Sequence, residues 1–121
     1  MTIEELETLV QSKKVHQIRC GNHRFIDITI VATEGRFFVR QYKFGKISWY
    51  HAFLEHPDGT MKVGDIEVAI DGAVPSDLNE INPKVNKAYR KLLGLIYPAI
   101  RLTYNTTKHE DSTMELIPKN L

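Results

Sequence analysis

The sequence predicts an α+β fold, a small antiparallel β-barrel with flanking helices, formed as one domain over residues 1–121. Three observations lead there. About six short segments alternate apolar and polar residues, the period-2 pattern of strands buried on one side. Two further stretches place apolar residues at helical spacing instead. The order of these segments shows no regular β-α-β repeat, which separates a mixed antiparallel fold from a doubly wound parallel one.

Taken in order, the elements justify themselves locally. Thr2 with Glu5 three residues on makes a capping box ahead of Ile3, Leu6, Leu9 and Val10, which recur on one helical face. The segment VHQIRC reads as a first strand. FIDITIVAT follows as a second, with Ile26, Ile28, Ile30 and Ala32 on one face against Phe25, Asp27, Thr29 and Val31 on the other. Glu34-Gly35 supplies a two-residue turn, and RFFVRQY returns as the hairpin partner. SWYHAFLEH suits a short helix capped by Ser48 and ended by Pro57 with Asp58-Gly59. TMKVG and DIEVAIDGAV are two more strands; Ile66, Val68 and Ile70 oppose Asp65, Glu67 and Asp71, the mark of a sheet with one wet face. In NEINPKVNKAYRKLLG, Asn82 is the expected cap, Pro83 occupies the first turn, and Val85, Tyr89 and Leu92 share a face that stops at Gly94. The stretch around Pro98 reads as loop or short helix, and STMELIPK as a closing strand.

Composition narrows the function classes. A net charge of +1 argues against a generic nucleic-acid binder. The lone Cys20 cannot form an internal disulfide, no apolar run spans a bilayer, and the acidic amphipathic N-terminus is unlike a secretion signal; together these point to a cytoplasmic protein. The sequon-like NTT at 105–107 is then a chance match. His51 and His56 stand five apart, on different helix faces, so no metal set is read from them. Cys20 beside Arg19 has two readings, a cation-activated thiol or a small buried hydrophobe. The alternating acids 65, 67 and 71 form a solvated strand face, and no P-loop, dinucleotide fingerprint or nucleophile elbow is present.

One region departs from this ordinary background. Between Gly35 and Leu54 there is no acid, while Arg36, Arg40, Lys43 and Lys46 concentrate four positive charges. On the strand, Phe37 and Val39 share the face expected in the core, so Arg40 and Tyr42 are expected to face a groove or an interface. A helix start at Ser48 flanked by cations is a natural anion site, with Trp49 and Tyr50 offering flat apolar surface beside it. The competing reading is packing: Trp49 and Phe53 are i, i+4 on a helix and four scattered bases commonly form a solvated surface.

The stretch SWYHAFLEHPDGTMKVGDIEVAI resembles the deazaflavin-dependent nitroreductase branch of the FMN-binding split-barrel superfamily, to which pyridoxamine phosphate oxidase-like proteins also belong. Trp49, Tyr50, His51, Pro57 and Gly64 carry the match. Nearly the whole chain is similar to a family of small bacterial proteins of unassigned activity allied to that superfamily, through its EEL helix, VRQY-like strand, LNEINPKVNKAYRKL segment, Tyr-Pro segment and terminal T-x-E-L-I-P. The resemblance implies a six-stranded antiparallel split β-barrel that forms a homodimer, with FMN or a deazaflavin in a groove at the dimer interface. It implies cofactor phosphate contacts at Arg40, Tyr42, Lys43, Lys46 and Ser48, and a groove shaped by Trp49 and Tyr50. Ala52 and His56 stand where the nitroreductases carry Asn, and only Arg24 remains of their upstream phosphate segment. The expected function is a flavin- or deazaflavin-binding oxidoreductase of unspecified substrate. The alternative is the same barrel serving as a non-catalytic ligand-binding or interaction module. Nucleic-acid binding through the basic strip ranks third.

Overall fold

The computed structural model describes residues 1–40, 49–94, 110–119 and 121. Helix α1 (Ile3–Gln11) begins with the expected capping box: the Glu5 amide donates to Thr2 Oγ1 at 3.1 Å and the Thr2 amide donates to Glu5 Oε1 at 3.2 Å. Strand β1 (His16–Cys20) follows, then β2 (Ile26–Ile28) and β3 (Val31–Thr33), and β4 (Arg36–Val39). Helix α2 (Trp49–Glu55) leads into β5 (Asp58–Val63) and β6 (Ile66–Ala73), then helix α3 (Leu78–Leu93) and β7 (Met114–Pro118).

All strands join one antiparallel sheet in the order β2-β1-β5-β6-β7-β4-β3. β2 and β3 sit at opposite ends of that order, yet only Thr29 and Ile30 separate them. Three residue steps reach at most about 11 Å. Seven strands laid flat would stand roughly 29 Å from first to last. The sheet must therefore curl until its two edges meet, and the predicted strand FIDITIVAT is the piece that turns the corner. Counting β2 and β3 as one bent strand reduces the seven segments to the six expected, so the α+β barrel is the observed architecture.

His16 holds this corner. It is 2% exposed, its Nδ1 accepts the Ile30 amide at 2.9 Å, and its Nε2 lies 2.8 Å from the carbonyl of Val10 near the end of α1. Both bonds are satisfied only by the neutral ring with its proton on Nε2. Desolvation by burial accordingly holds its pKa below the ordinary 6.5.

Two apolar clusters lie on opposite sides of the sheet. Inside the barrel, Ile18, Met61, Val63, Ile70, Met114, Leu116, Phe37 and Val39 meet Leu6 and Val10 of α1 and Phe53 of α2. Outside it, Val31 and Phe38 are covered by Ile81, Val85 and Tyr89 of α3. The alternation within FIDITIVAT holds, but both of its faces are buried at Val31 and Ala32 because α3 covers the second.

Phe53 explains two glycines. A Cβ on Gly72 would stand 2.6 Å from Phe53 Cδ1, and one on Gly59 would stand 2.6 Å from Phe53 Cε1 and 2.4 Å from the Arg19 carbonyl. The expectation that Asp58-Gly59 ends the α2 segment as a turn is corrected accordingly. Both residues belong to β5, where glycine lets the ring lie on the strand.

Candidate functional site

Helix α3 sets the surroundings of the basic-aromatic corner and starts earlier than its sequence pattern indicates. Asp77, not Asn82, is its N-cap, and Pro83 lies within the helix rather than in the first turn. Asn82 does not cap because its side chain is used elsewhere: 9% exposed, its Oδ1 accepts from Arg40 Nη2 at 3.0 Å and from Thr113 Oγ1 at 2.7 Å.

Arg40 is the centre of that arrangement. It is fully buried, its Nε donates to Thr113 Oγ1 at 2.8 Å, its Nη1 to Asn86 Oδ1, and its Nη2 also to the Asn82 carbonyl at 3.2 Å. Its backbone amide donates to the Tyr89 hydroxyl at 3.1 Å, and that hydroxyl donates to the carbonyl of Thr29 at 3.0 Å. Asn86 passes the network on to Glu110 at 3.0 Å. The expectation that Arg40 faces an open groove is corrected: Arg40 lies just past β4 on the side that α3 covers, and the helix presents two amides to its guanidinium. The four-base count needs a second correction, since Arg36 is paired. It bonds Asp77 at 2.9 and 3.1 Å and Glu115 at 2.8 and 3.2 Å, and lies 5.1 Å from the Phe38 ring centre. The Arg36 hydrogen bond in turn holds the Asp77 carboxyl below its ordinary range.

Trp49 and Tyr50 open α2 and are half-buried against the barrel core. They meet edge to face at 6.0 Å, and Tyr50 meets the exposed ring of His51 in the same way at 5.8 Å. Each aromatic thus anchors one side in the core and keeps part of its surface accessible, so the packing and groove-wall readings are compatible. Phe53, one turn on, is 1% exposed and belongs wholly to the core. Tyr42, Lys43, Lys46 and Ser48 lie outside the described residues. The structure therefore brings Trp49 and Tyr50 together, and sets Arg40 against α3.

Cys20 resolves toward the packing reading. Its thiol is buried, donates to the His56 carbonyl at 3.1 Å, and is pushed above its ordinary pKa by burial, then by the Asp58 charge. Among the described residues no three His, Cys, Asp or Glu side chains gather as a metal set, and no helix is long and apolar enough to cross a membrane. Sequence reasoning missed the roles of His16, Asn82 and Thr113. The signal for His16 was present in VHQIRC, where it shares the inward face with Ile18 and Cys20.

A curled antiparallel barrel with α1 and α2 packed on its inner cluster and α3 on its outer face fits the α+β split-barrel class. In keeping with this, the chain is similar to a solved Listeria innocua protein described as a proposed pyridoxamine 5′-phosphate oxidase, with a TM-score of 0.62 and 10% identity over 98% of this chain and 94% of that chain. At that identity the likeness is one of fold. No family model and no curated protein matches the chain.

Proposed function

We propose that the protein binds a flavin, FMN or a deazaflavin, in the corner between β4 and α2, and that it acts as an oxidoreductase. The observation that carries the reading is the acid-free, cation-rich segment joining these two elements in a split barrel whose fold matches a phosphate-ester oxidase-like structure. In this reading Lys43 and Lys46, with the hydroxyls of Tyr42 and Ser48, hold the cofactor phosphate. Trp49 and Tyr50 form the apolar wall beside it; their half-buried, edge-to-face arrangement leaves aromatic surface accessible. Arg40 acts one layer behind, fixing the base of the segment to α3 through its bonds to Asn82 and Asn86 and adding positive potential. A bound flavin would supply hydride transfer, while the chain supplies binding, orientation and exclusion of water. A second copy would complete the groove, as the sequence resemblance implies.

The test is FMN titration, by fluorescence quenching, of the unaltered protein and of Lys43→Ala/Lys46→Ala. A charged hydrogen bond is worth about 1.5–3 kcal/mol, so losing two cations should weaken binding by at least roughly a hundredfold. Unchanged affinity in a folded variant would remove these lysines from the site.

A further inference from the structure

The peptide between Thr29 and Ile30, the link through which β2 passes into β3 and the barrel closes, is held from both sides. Its N–H donates inward to His16 Nδ1 at 2.9 Å, and its carbonyl accepts from the Tyr89 hydroxyl of α3 at 3.0 Å. That hydroxyl in turn accepts the backbone amide of Arg40 at 3.1 Å, where the basic segment begins. His16 and Tyr89 are both buried, and His16 Nε2 is anchored on the Val10 carbonyl. One chain of hydrogen bonds therefore runs from the end of α1, through a single peptide plane, to the residue that follows β4.

A planar trans peptide points its N–H and C=O in opposite directions, so it cannot turn one without turning the other. Neutral His16 offers Nδ1 as an acceptor; the charged ring carries a proton there and can only donate. Two N–H groups would then face each other, and the arrangement that restores a bond is the reversed peptide, with the Thr29 carbonyl toward Nδ1. The Ile30 N–H then turns to the Tyr89 hydroxyl, which faces two amide donors where it held one, and its hold on Arg40 weakens. We propose that this peptide is an acid-operated switch: protonating His16 reverses it and loosens the Arg40 amide at the base of the basic segment. The surrounding charges set its poise. Lys13, just past α1, acts on the ring and, like burial, opposes protonation. Lys91 of α3 lines the cleft beside Ile30. Glu4 and Glu5 lie in the first turn of α1, away from Val10, while Glu7 accepts the Gly35 amide and Asp27 of β2 accepts from Gln17. From β5 the inward residues are the apolar Met61 and Val63. The switch belongs to the chain alone and is independent of the flavin reading.

The test is an NMR pH titration of the isotope-labelled full chain, from neutral pH down to the onset of acid unfolding seen by circular dichroism. The His16 ring nitrogens and the Ile30 and Arg40 amides should share one midpoint below pH 6.5, while the Val68 amide in β6 stays still. The Overhauser effect between the Thr29 α-proton and the Ile30 amide reports the orientation of the peptide and should change across the same midpoint. His16→Gln should remove these responses. Tyr89→Phe should keep the Ile30 response and lose that of Arg40. A His16 ring that titrates while Arg40 and the Overhauser effect stay fixed overturns the proposal. So does a ring that stays neutral until the whole barrel unfolds, or an Arg40 response that survives Tyr89→Phe.

Discussion

Replacing Arg40 by Met tests most sharply where its guanidinium resides. The substitution keeps an unbranched apolar stem, stops short of the guanidinium position and removes every side-chain donor. In the folded protein it leaves Asn82 Oδ1, Asn86 Oδ1 and the Asn82 carbonyl without the guanidinium, and breaks the bond to Thr113. Thr113 Oγ1 and Asn82 Oδ1 keep each other as partners, so the uncompensated loss falls mainly on Asn86 Oδ1. Each buried acceptor left unpaired costs about 1–3 kcal/mol. The space vacated by the guanidinium adds a cavity cost, giving a net loss of about 3 kcal/mol, within the range for breaking a buried charged network. For a chain of this length the melting temperature should fall by roughly 10 °C. Equilibrium urea unfolding followed by tryptophan fluorescence and circular dichroism would read it as a lowered midpoint at constant slope. Arg40→Lys should recover only part, because a single ammonium cannot span Thr113 and both asparagines. A loss below about 0.5 kcal/mol for Arg40→Met is what an exposed side chain would give, and would refute the buried anchor.

The remaining predictions concern the barrel frame. His16 has a folded pKa below 6.5, so the unfolded chain binds the extra proton first; its stability contribution is full above pH 6.5 and declines as pH falls toward the folded value. The difference in unfolding free energy between the unaltered protein and His16→Gln should therefore shrink on going below that pH, and a pH-independent difference would argue against the neutral latch. Glu34 and Gly35 both take positive φ, 56° and 72°, the pattern of a type I′ turn, and Glu is poorly suited to it. Glu34→Asn should stabilise by up to about 0.5 kcal/mol despite losing the exposed pair with Lys84, as read by urea midpoint; a clear loss would show that the pair dominates. Gly59→Ala should cost about 2 kcal/mol or more and exceed Gly72→Ala, because its new methyl meets the rigid Arg19 carbonyl whereas the other meets the Phe53 ring and the flexible Met114. Equal losses in thermal melts would contradict that ordering.

Much of this frame was legible because it rests on local signals. The Thr2–Glu5 box, the Glu34-Gly35 turn and the alternation of β6 all depend on residues within a few positions of one another. What escaped depends on contacts distant in sequence. Asn82 looks like a cap beside Pro83, and only the arrival of Arg40, 42 positions earlier, and of Thr113, 31 positions later, turns it inward. Arg40 looks solvent-facing from the strand period because that period does not say which sheet face a helix will cover. Arg36 likewise looks free until Asp77 and Glu115 close around it. Polar residues with remote partners carry no short-range pattern, and this is where the reading of the site was amended. Trp49 and Tyr50 stand on the expected helix, α2, partly buried against the core.

The central claim is that this barrel holds a flavin. A visible absorption spectrum of the freshly purified protein, with mass spectrometry of any small molecule released on denaturation, tests it most directly. The account predicts a yellow protein that releases FMN or a deazaflavin, or a stripped protein that saturably quenches added flavin. A colourless protein that binds neither FMN nor a deazaflavin would contradict it.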